Sequence, residues 1–163
     1  MGKKLTEVRN KSKEGGESFK KGAEQGRKAV SDTKNMKRLI DSLPTDVDDE
    51  IVSAAKAVEQ GTKSDAEHYM QSEVSSKIEA GRKSMDASSK AASDQVKNNE
   101  RVQSVFQQMD GIGAFGKNAR SEGRTKVENS TKEFNKAIQE NAENTRKADE
   151  EFKKNLSDIS STF

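Results

Sequence analysis

The stretch Asp110-Gly111-Ile112-Gly113-Ala114-Phe115-Gly116 separates two long segments that share one pattern. Three glycines within six residues indicate a tight turn, and Gly111 stands where a helix commonly ends. On both sides, small and apolar residues recur every three or four positions, which is the spacing of one helix face. The segments 66–109 and 117–160 are nearly equal in length. A short turn between equal amphipathic helices predicts an antiparallel helical hairpin.

The composition agrees with a helical fold that has a thin core. Charged residues make up 36% of the 163 residues and hydrophobic residues only 29%. The mean hydropathy is -1.08, whereas globular domains are typically nearer half apolar. Aromatic and β-branched residues do not form the alternating runs of a sandwich or barrel. We therefore predict an all-α fold: an elongated antiparallel helical hairpin or bundle of long amphipathic helices, with a glycine-rich turn at residues 111–116.

The first 31 residues differ from the rest in charge and glycine content. They hold nine basic and four acidic residues, hence a net charge of +5, and five of the eleven glycines. Glycine costs about 1 kcal/mol in a helix interior. We predict a frayed or flexible basic arm over residues 1–31 and a helical hairpin or bundle domain over residues 32–163. The basic excess also predicts contact of residues 1–31 with an anionic membrane.

Several positions mark helix boundaries within the second region. Pro44 predicts a helix end because it disfavours the helical conformation of the preceding residue. Thr45 with Asp48 is typical of a capping box at the next helix start. The following long helix is either unbroken or kinked near Gly61 or Gly81, and the sequence leaves both alternatives open. The alternative is a longer bundle in which residues 36–43 fold back as a third helix.

The chain lacks the residues that most enzymes need. It has no cysteine and a single histidine, His68, which argues against disulfides, thiolate chemistry and histidine metal sites. The glycines of the turn match the letters of a dinucleotide-binding loop but follow a helix and not a strand. Basic residues are interleaved with acids outside the arm, and aromatic residues are few, so nucleic acid is not expected. We predict a non-enzymatic protein with no catalytic residue, metal or cofactor.

Protein binding through helical faces is the function class that remains. Phe115 is a large apolar residue in a glycine-rich turn, and it is either a docking element or a plug that closes the end of the hairpin. The candidate turn and partner-binding residues are Phe106, Gly111, Gly113, Phe115 and Gly116.

Residues 66–163 resemble the WXG100/LXG helical-hairpin proteins, the substrates and partners of bacterial type VII secretion. The stretch Phe115-Gly116-Lys117-Asn118-Ala119-Arg120 is similar to the glycine–small-residue turn of LXG-type members. Phe134, Ala137 and Ile138 resemble the start of their second helix. The chain departs from the family in having no tryptophan and about 60 additional residues before the hairpin.

This resemblance implies a secreted protein or effector partner whose hairpin packs on a related hairpin or on the N-terminal helices of a toxin. It also implies an export signal. Asp149, Phe152 and Leu156 match the layout of the family's C-terminal signature, although Thr145 stands where a hydrophobic residue is expected.

A secondary export candidate and the expected location follow from the same sequence. Tyr69-x-x-x-Glu73 has the letters of the Tyr-x-x-x-Asp/Glu secretion motif, although it lies in mid-chain. No apolar run is typical of a Sec signal peptide or a membrane span, so we expect a protein that is secreted without a Sec signal peptide or is cytoplasmic. The alternatives are a cytosolic coiled-coil adaptor or structural protein that self-associates, and a membrane-surface protein that uses its basic arm.

Overall fold

The computed structural model describes residues 2–163, and most of them are helical. The elements are α1 (Lys3–Asp41), α2 (Asp49–Tyr69), a π-helical segment (Met70–Val74), α3 (Ser75–Asp110) and α4 (Lys117–Thr162). No strand occurs within residues 2–163, and none of the described helices is long and apolar enough to cross a membrane. The predicted all-α helical bundle is confirmed.

The turn lies where the sequence predicts it. Helix α3 ends at Asp110 and α4 begins at Lys117. Gly113 and Gly116 have φ angles of 143° and 75°, a region that side-chain-bearing residues rarely adopt. These two glycines therefore allow the chain to reverse within six residues.

The irregularity between α2 and α3 does not lie at a glycine. Gly61 and Gly81 both lie inside helices, and the irregularity is the π-helical segment, in which Met70 and Val74 are buried. An extra residue in a π turn rotates the following apolar positions around the helix axis. The start of α2 also differs from prediction, since Asp48 is itself the N-cap and accepts a hydrogen bond from the amide of Ile51.

Residues 3–31 differ most from the sequence-based expectation. They lie in α1, which continues past residue 31 to Asp41, and Leu5, Val8, Phe19 and Val30 are buried along it. Met1 lies outside the described residues. The structure shows no frayed segment in residues 3–31, because apolar and glycine positions together form one packed stripe every three or four residues.

Glycines in α1 serve close helix packing. Gly15, Gly22 and Gly26 are buried. A Cβ atom at Gly22 would lie 2.9 Å from Ile78 Cδ1, and one at Gly26 would lie 2.6 Å from Asn155 Nδ2. The absence of a side chain lets the neighbouring helices approach α1, which offsets the conformational cost of glycine.

The described residues form two compact units. The first contains the residues up to Gly16 and Arg82–Asn144, and the second contains Glu17–Gly81 and Thr145–Phe163. Each unit packs part of α1 against a helix that runs antiparallel to it and against part of α4. Helix α1 therefore packs on the α3–α4 hairpin as a third helix. It spans Lys3–Asp41, whereas the sequence-based alternative had a third helix over residues 36–43 only.

The core of the first unit combines a small apolar cluster with a buried polar layer. Leu5 and Val8 of α1 pack with Ala92 of α3 and Phe134 of α4. Beside this cluster, a hydrogen-bond network joins the three helices through Ser12, Ser88, Ser89 and Asn141.

Geometry in this layer satisfies the buried polar groups. Ser88 donates to the carbonyl oxygen of Val8 at 2.8 Å. Asn141 Nδ2 donates to Ser88 Oγ at 2.9 Å and to Ser89 Oγ at 3.1 Å. Ser12 Oγ donates to Asn141 Oδ1 at 2.5 Å. These hydrogen bonds form only when the bonded residues of the three helices lie at the same level along the helix axes. The layer therefore sets the axial position of α1 relative to α3 and α4.

Candidate functional site

Arg120 organises the turn between α3 and α4. Its Nε donates to Asp110 Oδ1 at 2.9 Å, and its Nη2 donates to the carbonyl oxygen of Gly113 at 2.6 Å. Its Nη1 donates to the carbonyl oxygen of Phe115. A planar guanidinium with fixed donor directions can hold several acceptors at once. One side chain therefore joins the end of α3, the turn and the start of α4.

Asp110 is the only acidic residue in the segment 102–116, and two arginines hold it. Arg124 donates to its second carboxylate oxygen. The hydrogen bond from Arg120 and the charge of Arg124 lower the pKa of Asp110 below its ordinary value of 3.8. The carboxylate is therefore ionised at neutral pH, and together with the two arginines it forms a cluster with a net charge of +1.

The turn presents two apolar side chains to solvent. Phe115 is 98% exposed and Ile112 is 86% exposed. A residue that closed the end of the hairpin would be covered by α3 and α4, so the plug alternative for Phe115 is wrong. Arg120 holds the backbone at Gly113 and Phe115, and the side chains of Ile112 and Phe115 remain in solvent.

Apolar exposure continues from the turn along α3. Val102, Val105 and Met109 are 39%, 47% and 38% exposed. They are three and four residues apart and so share one helix face, which leads to Ile112. We call Val102, Val105, Met109, Ile112 and Phe115 the tip patch. In a chain with 36% charged residues, the segment 102–109 has none.

The tip patch extends a face that α1 covers elsewhere. Leu5 of α1 lines one cavity together with Gln95 of α3 and Lys126 of α4. Gln95, Val102 and Met109 are seven residues apart and therefore lie on one side of α3. The exposure of Val102 and Met109 shows that no described helix covers this side of α3 at the tip patch.

Contacts between α3 and α4 support this exposed end of the hairpin. Asn99 Nδ2 donates to Thr131 Oγ1 at 3.0 Å, and Gln103 Nε2 donates to the carbonyl oxygen of Arg124 at 3.2 Å. The ring of Phe106 lies over Gly123, where a Cβ atom would be 3.3 Å from Phe106 Cζ. Phe106 is therefore a half-buried packing residue and not part of the exposed surface.

The predicted turn residues are brought together, with different roles. Gly113 and Gly116 give the turn its conformation, and Phe115 carries the exposed ring. The amide of Gly111 donates to the carbonyl oxygen of Gln108 at 3.2 Å, which closes the last turn of α3. Phe106 lies on the opposite side of this arrangement, against α4.

The export candidates lie in the second unit. Asp149, Phe152 and Leu156 are half-buried on α4. Tyr69 ends α2 with 37% of its surface exposed, and Glu73 is exposed in the π-helical segment. The structure does not test whether either set is an export signal, and both remain predictions.

Basic residues of α1 are partly balanced by acids. Arg9 lies 3.6 Å from a carboxylate oxygen of Glu133, and Arg27 is hydrogen-bonded to Glu151. Lys11 forms an exposed pair with Glu7 at 3.4 Å. Contact of residues 1–31 with an anionic membrane stays a prediction.

A second exposed apolar surface lies in the second unit. Helix α2 has no buried residue, and its Ile51 and Val58 are 47% and 46% exposed. This surface borders charged groups, since Lys37 donates to Glu59 at 3.0 Å and pairs with Asp41 at 3.1 Å. Those two bonds, the first being the stronger influence, raise the pKa of Lys37 above 10.5. In the segment that carries the tip patch, residues 102–116, the one charged residue is Asp110, which is paired with Arg120 and Arg124.

Sequence reasoning missed Arg120, Arg124 and Ile112 as site residues. The sequence does contain a signal for the arginines. Asp110 ends one predicted helix, and Arg120 and Arg124 lie four residues apart near the start of the next. Such a pair on the first turns of α4 reaches back to the end of α3. Among residues 2–163, no cluster of three acidic or histidine side chains is arranged to hold a metal ion.

Comparison with known proteins does not place the chain in a group. No protein family, curated protein or solved structure matches this sequence or its fold.

Proposed function

We propose that this chain is a non-enzymatic protein–protein interaction module whose tip patch docks on another polypeptide chain. The observation that carries the proposal is the 98% exposure of Phe115 on a turn held by Arg120. A large apolar side chain gains about 1.5–3 kcal/mol when it is moved from water into a packed environment. Because the turn is already ordered, little further conformational entropy is lost on docking.

The distribution of the patch favours a protein over a membrane as its target. A membrane would bury the side chains at the end of the turn, Ile112 and Phe115. The stripe from Val102 to Met109 instead lies along the side of α3, where it is suited to pack against another helix. The patch thus combines an aromatic anchor with a helix face, as in helix-groove recognition.

Site-specific photo-crosslinking tests this proposal in cells that make the full chain. A photoreactive phenylalanine analogue is placed at Phe115, and in a control at Gln107, which is exposed on another face of α3. We expect a discrete crosslinked protein species from position 115 and none from position 107. Absence of a discrete species at position 115, or the same species at both, contradicts the proposal.

Export belongs to the proposal only through the resemblance to WXG100/LXG hairpins. In that case the partner is a related hairpin or the N-terminal helices of a toxin, and the chain leaves the cell without a Sec signal peptide. The alternative is a cytoplasmic adaptor that uses the same surface. The two differ in the behaviour of Asp149, which is discussed below.

A further inference from the structure

We propose that the occupant of the tip patch is the tip patch of a second copy, so that the chain forms a two-fold symmetric dimer through this end of its hairpin. The inference rests on the proposed function and names its partner. Three properties of the patch carry it: its lack of charge, its area and its continuity with the face that α1 covers.

Lack of charge favours a symmetric partner. In a two-fold interface the same surface meets itself, so a charged residue near the axis faces a like charge. Segments 102–109 and 111–116 contain no charged residue, and the carboxylate of Asp110 between them is paired with Arg120 and Arg124 of α4. The amide that borders the stripe is Gln108, which is exposed and can donate to and accept from its own kind.

Area allows a weak dimer. With the usual surface of such side chains, the exposed fractions of the five patch residues amount to roughly 500 Å² of apolar surface in one copy. Two copies would bury roughly 1,000 Å², which is at the lower end of specific interfaces. We therefore expect a dimer that depends on concentration.

Continuity with the α1 interface gives the geometry. In the part of the first unit around Ala92 and Phe134, α1 packs on the α3–α4 pair through Leu5 and Val8. At the tip the same side of α3 carries Val102 and Met109, and no helix of residues 2–163 covers it. A second hairpin placed over this face would supply the missing helices and complete a four-helix arrangement there.

Sedimentation equilibrium on the purified full chain tests the inference. Val105 and Val58 are 47% and 46% exposed, one in the tip patch and the other on α2, so they form a matched pair. We expect the unaltered chain to dimerise, Val105→Lys to weaken association about tenfold or more, and Val58→Lys to leave it unchanged. Phe115→Ser, at an almost fully exposed side chain, should act as Val105→Lys does.

Disulfide trapping adds a geometric test, because the chain has no cysteine of its own. Val105→Cys lies at the middle of the stripe, whereas Ser104→Cys is exposed on another face of the same helix turn. A disulfide needs Cα atoms within about 7 Å. We expect mild oxidation to crosslink two copies through position 105 and not through position 104.

The outcomes separate this inference from the proposed function. A chain that stays monomeric at its highest soluble concentration, or a dimer that Val58→Lys and not Val105→Lys disrupts, overturns the second-copy inference. If position 115 then crosslinks to a different protein in cells, the proposed function still stands. If it crosslinks to nothing and the purified chain instead floats with anionic vesicles, both are overturned in favour of a membrane.

Discussion

Replacing Asn141 with alanine tests whether the buried polar layer stabilises the first unit. Asn141 is only 2% exposed, and its amide joins Ser88 and Ser89 of α3 to Ser12 of α1. Asn141→Ala removes the three hydrogen bonds to Ser12, Ser88 and Ser89, among its other contacts, and leaves a small cavity. Ser12 can still turn to Ser88, whose oxygen is 2.8 Å away, so part of the loss is recovered.

The magnitude follows from these contacts. Each lost hydrogen bond costs about 1 kcal/mol net, and alanine returns about 0.5 kcal/mol through its higher helix propensity. With one of the three bonds recovered and a modest cavity cost added, we expect a loss of about 2 kcal/mol in the free energy of unfolding. For a chain of this length the melting temperature should fall by about 4–8 °C.

Urea unfolding followed by circular dichroism measures the change, and Asn144→Ala is the control. Asn144 is exposed on the same helix, so its replacement should alter the free energy of unfolding by no more than about 0.5 kcal/mol. An Asn141→Ala chain as stable as the control would refute the stabilising role of the layer. A Ser88→Ala, Asn141→Ala double variant should lose less than the sum of the single losses, because both changes remove shared bonds.

Three further predictions concern other parts of the chain. Gly61→Ala should stabilise the chain by about 0.5–1 kcal/mol, since a Cβ atom there has no neighbour within 4 Å. Gly22→Ala should be destabilising, because its Cβ atom would lie 2.9 Å from Ile78 Cδ1. Thermal melts of both variants measure these changes. Because the pKa of Asp110 is lowered in the folded state, the ionised carboxylate stabilises the fold above pH 3.8, and this contribution is lost as the pH falls towards the lowered pKa. The melting temperatures of the unaltered chain and of Asp110→Asn should therefore differ at neutral pH and converge in acid. A difference that stays constant with pH would contradict this assignment. Asp149→Ala should leave the helical circular dichroism signal and self-association unchanged and abolish export in a host with type VII secretion; normal export of the variant would eliminate the export-signal hypothesis.

Small and polar residues in the core explain how so polar a chain packs helices this long. Thr33, Ser88, Asn141 and Asn155 are buried polar residues, beside buried glycines in α1 and α3. Small side chains bring helix axes close together, and hydrogen bonds replace part of the missing apolar surface. The low hydrophobic fraction therefore reflects close helix packing and does not indicate a disordered chain.

Local patterns in the sequence determined the α3–α4 hairpin. The three- and four-residue spacing of apolar positions specifies helices, and the glycines at 111, 113 and 116 specify the reversal, because both depend on residues close together along the chain. The same local logic located the helix end before Pro44. These features agree with the structure.

The glycines of α1 predict a frayed arm, and the structure differs for a physical reason. Propensity treats a glycine such as Gly22 as a cost, and only the presence of Ile78 opposite it shows that the position requires one. Likewise, the π-helical segment Met70–Val74 places the side chains of Met70 and Val74 in the core, and no local sequence pattern predicts this segment. Burial of Leu5 and Val8 depends on α3 and α4, which lie far away along the chain.

The candidate site shows the same division. From sequence alone, Phe115 in its glycine-rich turn was suited equally to a docking element and to a plug. Periodicity states which residues share a helix face, but it does not state what covers that face. Only the tertiary structure decided between these two roles. Arg120 binds both Asp110 and the backbone carbonyl of Phe115, and no described helix covers the Phe115 side chain, which therefore lies in solvent.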